Sequence, residues 1–116
     1  MATGYSHRGE AYGKQDQYDK AIADLTKVVE LLPNNPFGHT QLCVRYRQRG
    51  NVNASNEDYQ KAISACSKAI SFGAAGDMAL ANRGLAHNGL KEYDKAIHDF
   101  SAAIAENPKF TTHYEY

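Results

Sequence analysis

The strongest constraint on this chain is that its two ends repeat each other. Arg8 to Pro33, RGEAYGKQDQYDKAIADLTKVVELLP, matches Arg83 to Pro108, RGLAHNGLKEYDKAIHDFSAAIAENP. Gly9 and Gly84, Tyr18 and Tyr93, Ala21 and Ala96, and Pro33 and Pro108 each lie 75 residues apart. A middle copy emerges at a finer spacing: Tyr12 to Tyr46 is 34 residues, as are Tyr59 to Tyr93 and Ala62 to Ala96. Two periods of 34 leave seven residues over. These must fall between Tyr46 and Tyr59, inside the polar stretch RQRGNVNASNEDYQKA, Arg47 to Ala62. A chain with such a period stacks similar units, each burying one face on the next.

Each copy reads as two helices broken by a turn. Ile22, Leu25, Val29 and Leu32 recur at steps of three or four, as do Ile97, Phe100 and Ile104, which predicts helices with one apolar face. Pro33 and Pro108 follow these second helices and prevent their continuation. Gly9, Cys43 and Gly84 lie on first helices, facing Ala21, Ala62 and Ala96 on second helices. Small residues there let the axes approach to roughly 8–10 Å. No strand alternation is present, so the expectation is an all-α chain of six helices in antiparallel pairs.

The seven added residues admit two readings. Gly50 suits the left-handed residue that ends a helix. Ser55 or Asn56 can cap the next one, with Glu57 and Asp58 near its positive end. This makes the insertion a long turn. Seven residues are also about two helical turns, so each helix could instead lengthen by one. Asn51, Asn53 and Asn56 are poor in helix interiors and favour the turn. Asn53-Ala54-Ser55 is a glycosylation triplet by pattern, but the N-terminus MATGYSHRGE carries no apolar signal core.

Composition excludes several classes. Thirteen basic residues balance thirteen acidic ones, so no global charge points to nucleic acid or a membrane surface. No apolar run is long enough to span a bilayer, and the expected location is cytoplasmic. Cys43 and Cys66 are expected to be buried free thiols, since a disulfide would need an oxidising compartment. GxSxG, Walker and HExxH patterns are missing, so the chain is not expected to be an enzyme or to hold a cofactor. None of the five histidines stands three or four residues from another, and no metal site is expected. His39 and His87 read as packed side chains, His98 as part of a solvated face. In RYRQR, Arg45 to Arg49, the arginines read as a solvated helix end complementing its negative dipole.

The 34-residue period, with small, aromatic and Pro residues at fixed offsets, resembles the tetratricopeptide repeat (TPR) family. The places are held by Tyr5, Arg8-Gly9, Tyr12, Ala21, Leu25 and Pro33 in the first copy. In the third they hold Leu80, Arg83-Gly84, His87, Ala96, Phe100 and Pro108. A degenerate middle copy has His39, Leu42-Cys43, Tyr46, Ala62, Cys66 and Ala74. The resemblance implies a right-handed superhelical solenoid. Its repeats would be 2–35, 36–76 with a seven-residue insertion between its helices, and 77–110. Residues 111–116 would begin a further helix or form a C-terminal tail, Tyr114 matching Tyr5.

The resemblance also implies a function. First helices of TPR arrays line a concave groove that receives a peptide or protein partner. The groove-facing stripe here would be Thr3, His7, Glu10 and Lys14, then Phe37, Gln41, Val44 and Gln48, then Met78, Asn82, Leu85 and Gly89. Each set is spaced four, three, four, so it shares one helical face. Phe37, Val44, Met78 and Leu85 would form an apolar wall, and Asn82 would bond a peptide backbone. TPR co-chaperones that grip acidic chaperone tails use a clamp of Lys, Asn and Arg. The matching places hold Ser6, Glu10, Gln41, Met78 and Asn82, so that clamp is rejected. Two other readings stand beside the groove. The chain could be an assembly module that forms a homo-oligomer through an uncapped C-terminal repeat, or a regulatory piece of a larger protein.

Overall fold

The computed structural model describes residues 1–74 and 76–107. Among these residues run six helices and no strand: α1 (Ala2–Lys14), α2 (Tyr18–Leu31), α3 (Pro36–Asn53), α4 (Asn56–Ser71), α5 (Gly76–Gly89) and α6 (Tyr93–Glu106). Helices adjacent in sequence pack against each other, and α3 also meets α5, so three helix pairs stack as a solenoid. The expectations for Pro108 and for a further helix over 111–116 lie outside the described residues. No described helix is long and apolar enough to cross a membrane.

The first helices depend on packing. α1 carries Gly4, Gly9 and Gly13 in 13 residues, and each glycine disfavours an isolated helix by about 1 kcal/mol relative to alanine. Close contact with α2 compensates. A methyl group at Gly9 would stand 3.1 Å from the Leu25 side chain and 3.3 Å from the Ala21 carbonyl oxygen. At Gly84 it would stand 2.9 Å from the Phe100 ring. An ion pair runs beside each of these contacts. Arg8 donates two hydrogen bonds of 2.8 Å to Asp24, and Arg83 donates two of 2.8 Å to Asp99. Both aspartates are buried. The Arg8 guanidinium holds the Asp24 carboxyl below its ordinary value, against the opposing effect of burial.

The middle pair is built differently. Leu42 and Ala65 occupy the places of Arg8 and Asp24, while Cys43 and Cys66 occupy those of Gly9 and Leu25. The two cysteines are joined by a disulfide, with Cα atoms 5.3 Å apart and both side chains fully buried. The expectation of free thiols is therefore corrected. Where the outer pairs set nothing opposite a large side chain, the middle pair sets two half-sized ones opposite each other. Their Cα separation lies within the range a disulfide spans.

The insertion is not a long turn. The turns of the outer repeats place Asp16 (φ 60°) and Lys91 (φ 63°) in the left-handed conformation. One period of 34 on from Asp16 is Gly50, but Gly50 is helical and the left-handed residue is Ala54 (φ 50°), four positions later. α4 in turn begins at Asn56, three positions ahead of Tyr59, the counterpart of Tyr18 and Tyr93 that open α2 and α6. Each helix has gained close to one turn. Tertiary contacts outweigh the weak propensity of asparagine. Arg49 donates bonds of 3.0 and 2.8 Å to Asp58 and a third of 2.9 Å to Asp19 on α2. Tyr59 donates to the Asn51 side chain at 2.6 Å, and its ring fills the space left by Gly50 and Gly89. Ser55 caps α4 by accepting from the Asp58 amide, as one of the two expected caps.

The arginines of RYRQR are not a solvated helix end, because α3 continues beyond them. Arg45 is buried, its guanidinium packed against Gly13 in the last turn of α1 and donating to Gln48 at 2.9 Å. Arg47 reaches Asn82 on α5 at 3.0 Å. His39 is packed as expected: buried, donating to the Pro33 carbonyl at 2.8 Å, its ring 5.4 Å from that of Phe72.

Candidate peptide-binding groove

The openings of α1, α3 and α5 lie side by side and shape two shallow hollows that share one wall. The wall is Phe37, at the second position of α3. Its placement is local: Pro36 begins the helix with a fixed φ, and the Asn35 side chain caps it by accepting from the Phe37 amide at 2.9 Å. The larger hollow, about 360 Å³, lies between α3 and α5 and is lined by Asn35, Pro36, Phe37, Thr40, Gln41, Ala74 and Met78. The smaller, about 280 Å³, lies on the other side of Phe37 and is lined by Ala2, Thr3, Ser6, His7, Val28, Leu32, Asn35 and Phe37. Phe37 is 44% exposed and Met78 52%. Large apolar side chains this open, side by side, leave apolar surface that the described residues do not cover.

The structure brings together part of the expected stripe. Phe37, Gln41 and Met78 share the larger hollow, and Thr3 and His7 meet Phe37 across the smaller. The others lie away from both. Glu10 and Lys14 face each other at 3.6 Å on the surface of α1. Gln48 accepts from Arg45, while Val44 and Leu85 are half-buried further along their helices. Asn82 is buried with both ends of its amide engaged: its oxygen accepts from Arg47, and its nitrogen donates to the Met78 carbonyl at 3.0 Å. It braces α5 against α3.

Sequence reasoning missed Ala2, Val28, Leu32, Asn35, Pro36, Thr40 and Ala74. Pro36 had a signal, since proline after a polar Asn-Asn pair marks a helix start. Leu32 had none beyond an apolar stripe expected to be core, and Val28 had none. Thr40 is held by its hydroxyl, which donates to the Pro36 carbonyl at 3.0 Å.

The sequence pattern of the tetratricopeptide repeat matches residues 2–35 and 78–110, more than half of the chain. The chain belongs to the tetratricopeptide repeat family. The unmatched middle is the disulfide-bonded, lengthened pair. Small glutamine-rich tetratricopeptide repeat-containing protein 2 of Saccharomyces cerevisiae is 37% identical over 68 residues, covering 59% of this chain and 20% of that protein. The matched segment thus spans about a fifth of that relative's length. Among solved structures, the first TPR domain of human RPAP3 superposes with a TM-score of 0.82 at 27% identity, covering 93% of this chain and 80% of that one. The first TPR of Spaghetti (RPAP3), bound to the HSP90 peptide SRMEEVD, gives a TM-score of 0.79 at 26% identity, covering 92% and 79%. The TPR solenoid is a scaffold for protein interaction, and this chain has that architecture.

Proposed function

We infer that this TPR domain binds a protein partner through a short peptide laid across the openings of α1, α3 and α5. Phe37 and Met78 are its apolar anchors, and Gln41, Asn35 and His7 the polar groups beside them. The observation that carries this reading is the exposed Phe37 standing between two hollows, so that a peptide side chain can seat on either side of it. The Spaghetti domain supports the general mode, since it is bound to the HSP90 peptide SRMEEVD on the same fold. That peptide is acidic, and this chain has Glu10 and no lysine at the matching places. The preferred ligand is therefore apolar with few carboxylates. Affinity is modest, because such shallow hollows bury little of a ligand.

An array of short apolar and acidic peptides tests the idea, probed with wild type and with Phe37→Ala/Met78→Glu. Loss of an anchor costs at least about tenfold in affinity, roughly 1.4 kcal/mol. Equal binding of the same peptides by both proteins would rule out this groove.

The cytoplasmic location read from the sequence conflicts with Cys43–Cys66, because cytosolic thiol pools keep such pairs reduced. Thiol trapping at cell lysis decides between them. Two trapped thiols per chain place the domain in the cytoplasm, and none places it in an oxidising compartment.

A further inference from the structure

The two ends of the solenoid carry complementary halves of an interface that the molecule builds twice inside itself. Each second helix bears an aromatic and two aliphatic residues at fixed places: Tyr18, Ile22 and Val29 on α2, Tyr59, Ile63 and Ile70 on α4, Tyr93, Ile97 and Ile104 on α6. On α2 and α4 they are buried or half-buried, the aliphatic ones joined to the core. On α6 they are 55%, 61% and 39% exposed.

The following first helix provides the cover, with a small residue at one fixed place; on α5 a second follows seven residues on, where α3 has the buried Arg45. On α5 these are Ala79 and Ala86, both fully buried. On α3 the first is Gly38, where an added methyl would stand 3.2 Å from Val28 and 3.1 Å from Val29. The counterparts on α1 are Gly4 and Ala11, and both are exposed. Gly4 has open space around it, beside a hollow of about 360 Å³ lined by Met1, Gly4, Tyr5 and Arg8.

We propose that two copies of this chain dock head to tail, the outer face of α1 covering α6 of the other copy. Gly4 then lies over Ala103 and Ile104 as Gly38 lies over Val28 and Val29, and Ile104 enters the hollow beside Tyr5. This gives the self-association expected of the C-terminal end its second surface, and it does not involve the groove. The contact is heterologous, so it grows open chains rather than closing as a symmetric dimer. The apolar face is small, which makes the association weak and dependent on concentration.

Sedimentation velocity of the full 116-residue chain over a wide concentration range tests this. The average mass of wild type rises steadily with concentration. Ile97→Glu blocks one face and Gly4→Trp the other, and each alone is monomeric. Mixed in equal amounts they recover a dimer that grows no further, because each keeps one intact face. Phe37→Ala/Met78→Glu associates like wild type. If Gly4→Trp lowers the unfolding midpoint, Gly4→Glu, at the same open place, replaces it. The proposal is overturned by a wild type that stays monomeric throughout, by folded variants whose mixture stays monomeric, or by an α1 variant that associates like wild type.

Discussion

The outer and middle helix pairs solve the same packing problem with different chemistry. In the outer pairs a glycine meets Leu25 or Phe100, and a two-bonded Arg–Asp pair runs beside the contact. In the middle pair that contact is the Cys43–Cys66 disulfide, Leu42 and Ala65 replace the ion pair, and the Arg–Asp pair reappears as Arg49–Asp58 at the lengthened ends. Close approach of two helices requires only that the side chains between them add up to a fixed volume. How that volume is divided is free, and so is whether a covalent bond crosses it. The difference matters for stability, because only the middle pair responds to redox conditions.

The largest effect that would break the comparison is reduction of the disulfide. It closes a loop across a sequence separation of 23, worth about 3 kcal/mol by loop entropy. Urea unfolding with and without reductant should differ by that amount, and Cys43→Gly/Cys66→Phe, which imposes the outer arrangement, should recover most of it under reducing conditions. No recovery would mean the pairs are not interchangeable. Next, Gly9→Val forces a branched side chain against Leu25 and the Ala21 carbonyl and should cost about 2 kcal/mol, whatever the redox state. A smaller contrast lies in the caps. α4 has the Ser55 side-chain cap, whereas α2 and α6 have none. Ser55→Ala should cost about 1 kcal/mol, and an unchanged unfolding midpoint would show that Arg49–Asp58 alone fixes the extended ends.

The smallest effect separates the pairs by pH. Asp24 is held below its ordinary value by Arg8, so the unfolded chain takes up its proton first on acidification. The stabilisation is complete above the unfolded value, about 3.9, and is lost as pH falls through the lower folded value. Asp24→Asn should flatten the acid limb of a stability profile. A profile identical to that of wild type would mean that the exposed Arg8 contributes nothing through this pair, in keeping with the small worth of exposed ion pairs.

The periodicity of Ile22, Leu25 and Val29, the 75-residue offset and the proline after α2 determined by themselves that the chain folds as three helix pairs. These signals are local, or repeat in register, and the physics of helix packing reads them directly. Phe37 and Met78 were legible as exposed apolar side chains for the same reason, since spacing along a first helix fixes its faces. Tertiary structure alone decided the rest. Asn82 has the residue type and position of a peptide anchor, yet Arg47, 35 positions away, occupies it from the neighbouring helix. The Asn-rich stretch has the propensity of a turn, yet Arg49 and Tyr59 hold it as helix. Cys43 and Cys66 look like small core residues until two helices bring them within bonding reach. In each case the deciding partner lies on another helix, and a single residue's preference, worth less than about 1 kcal/mol, yields to the contacts that partner makes.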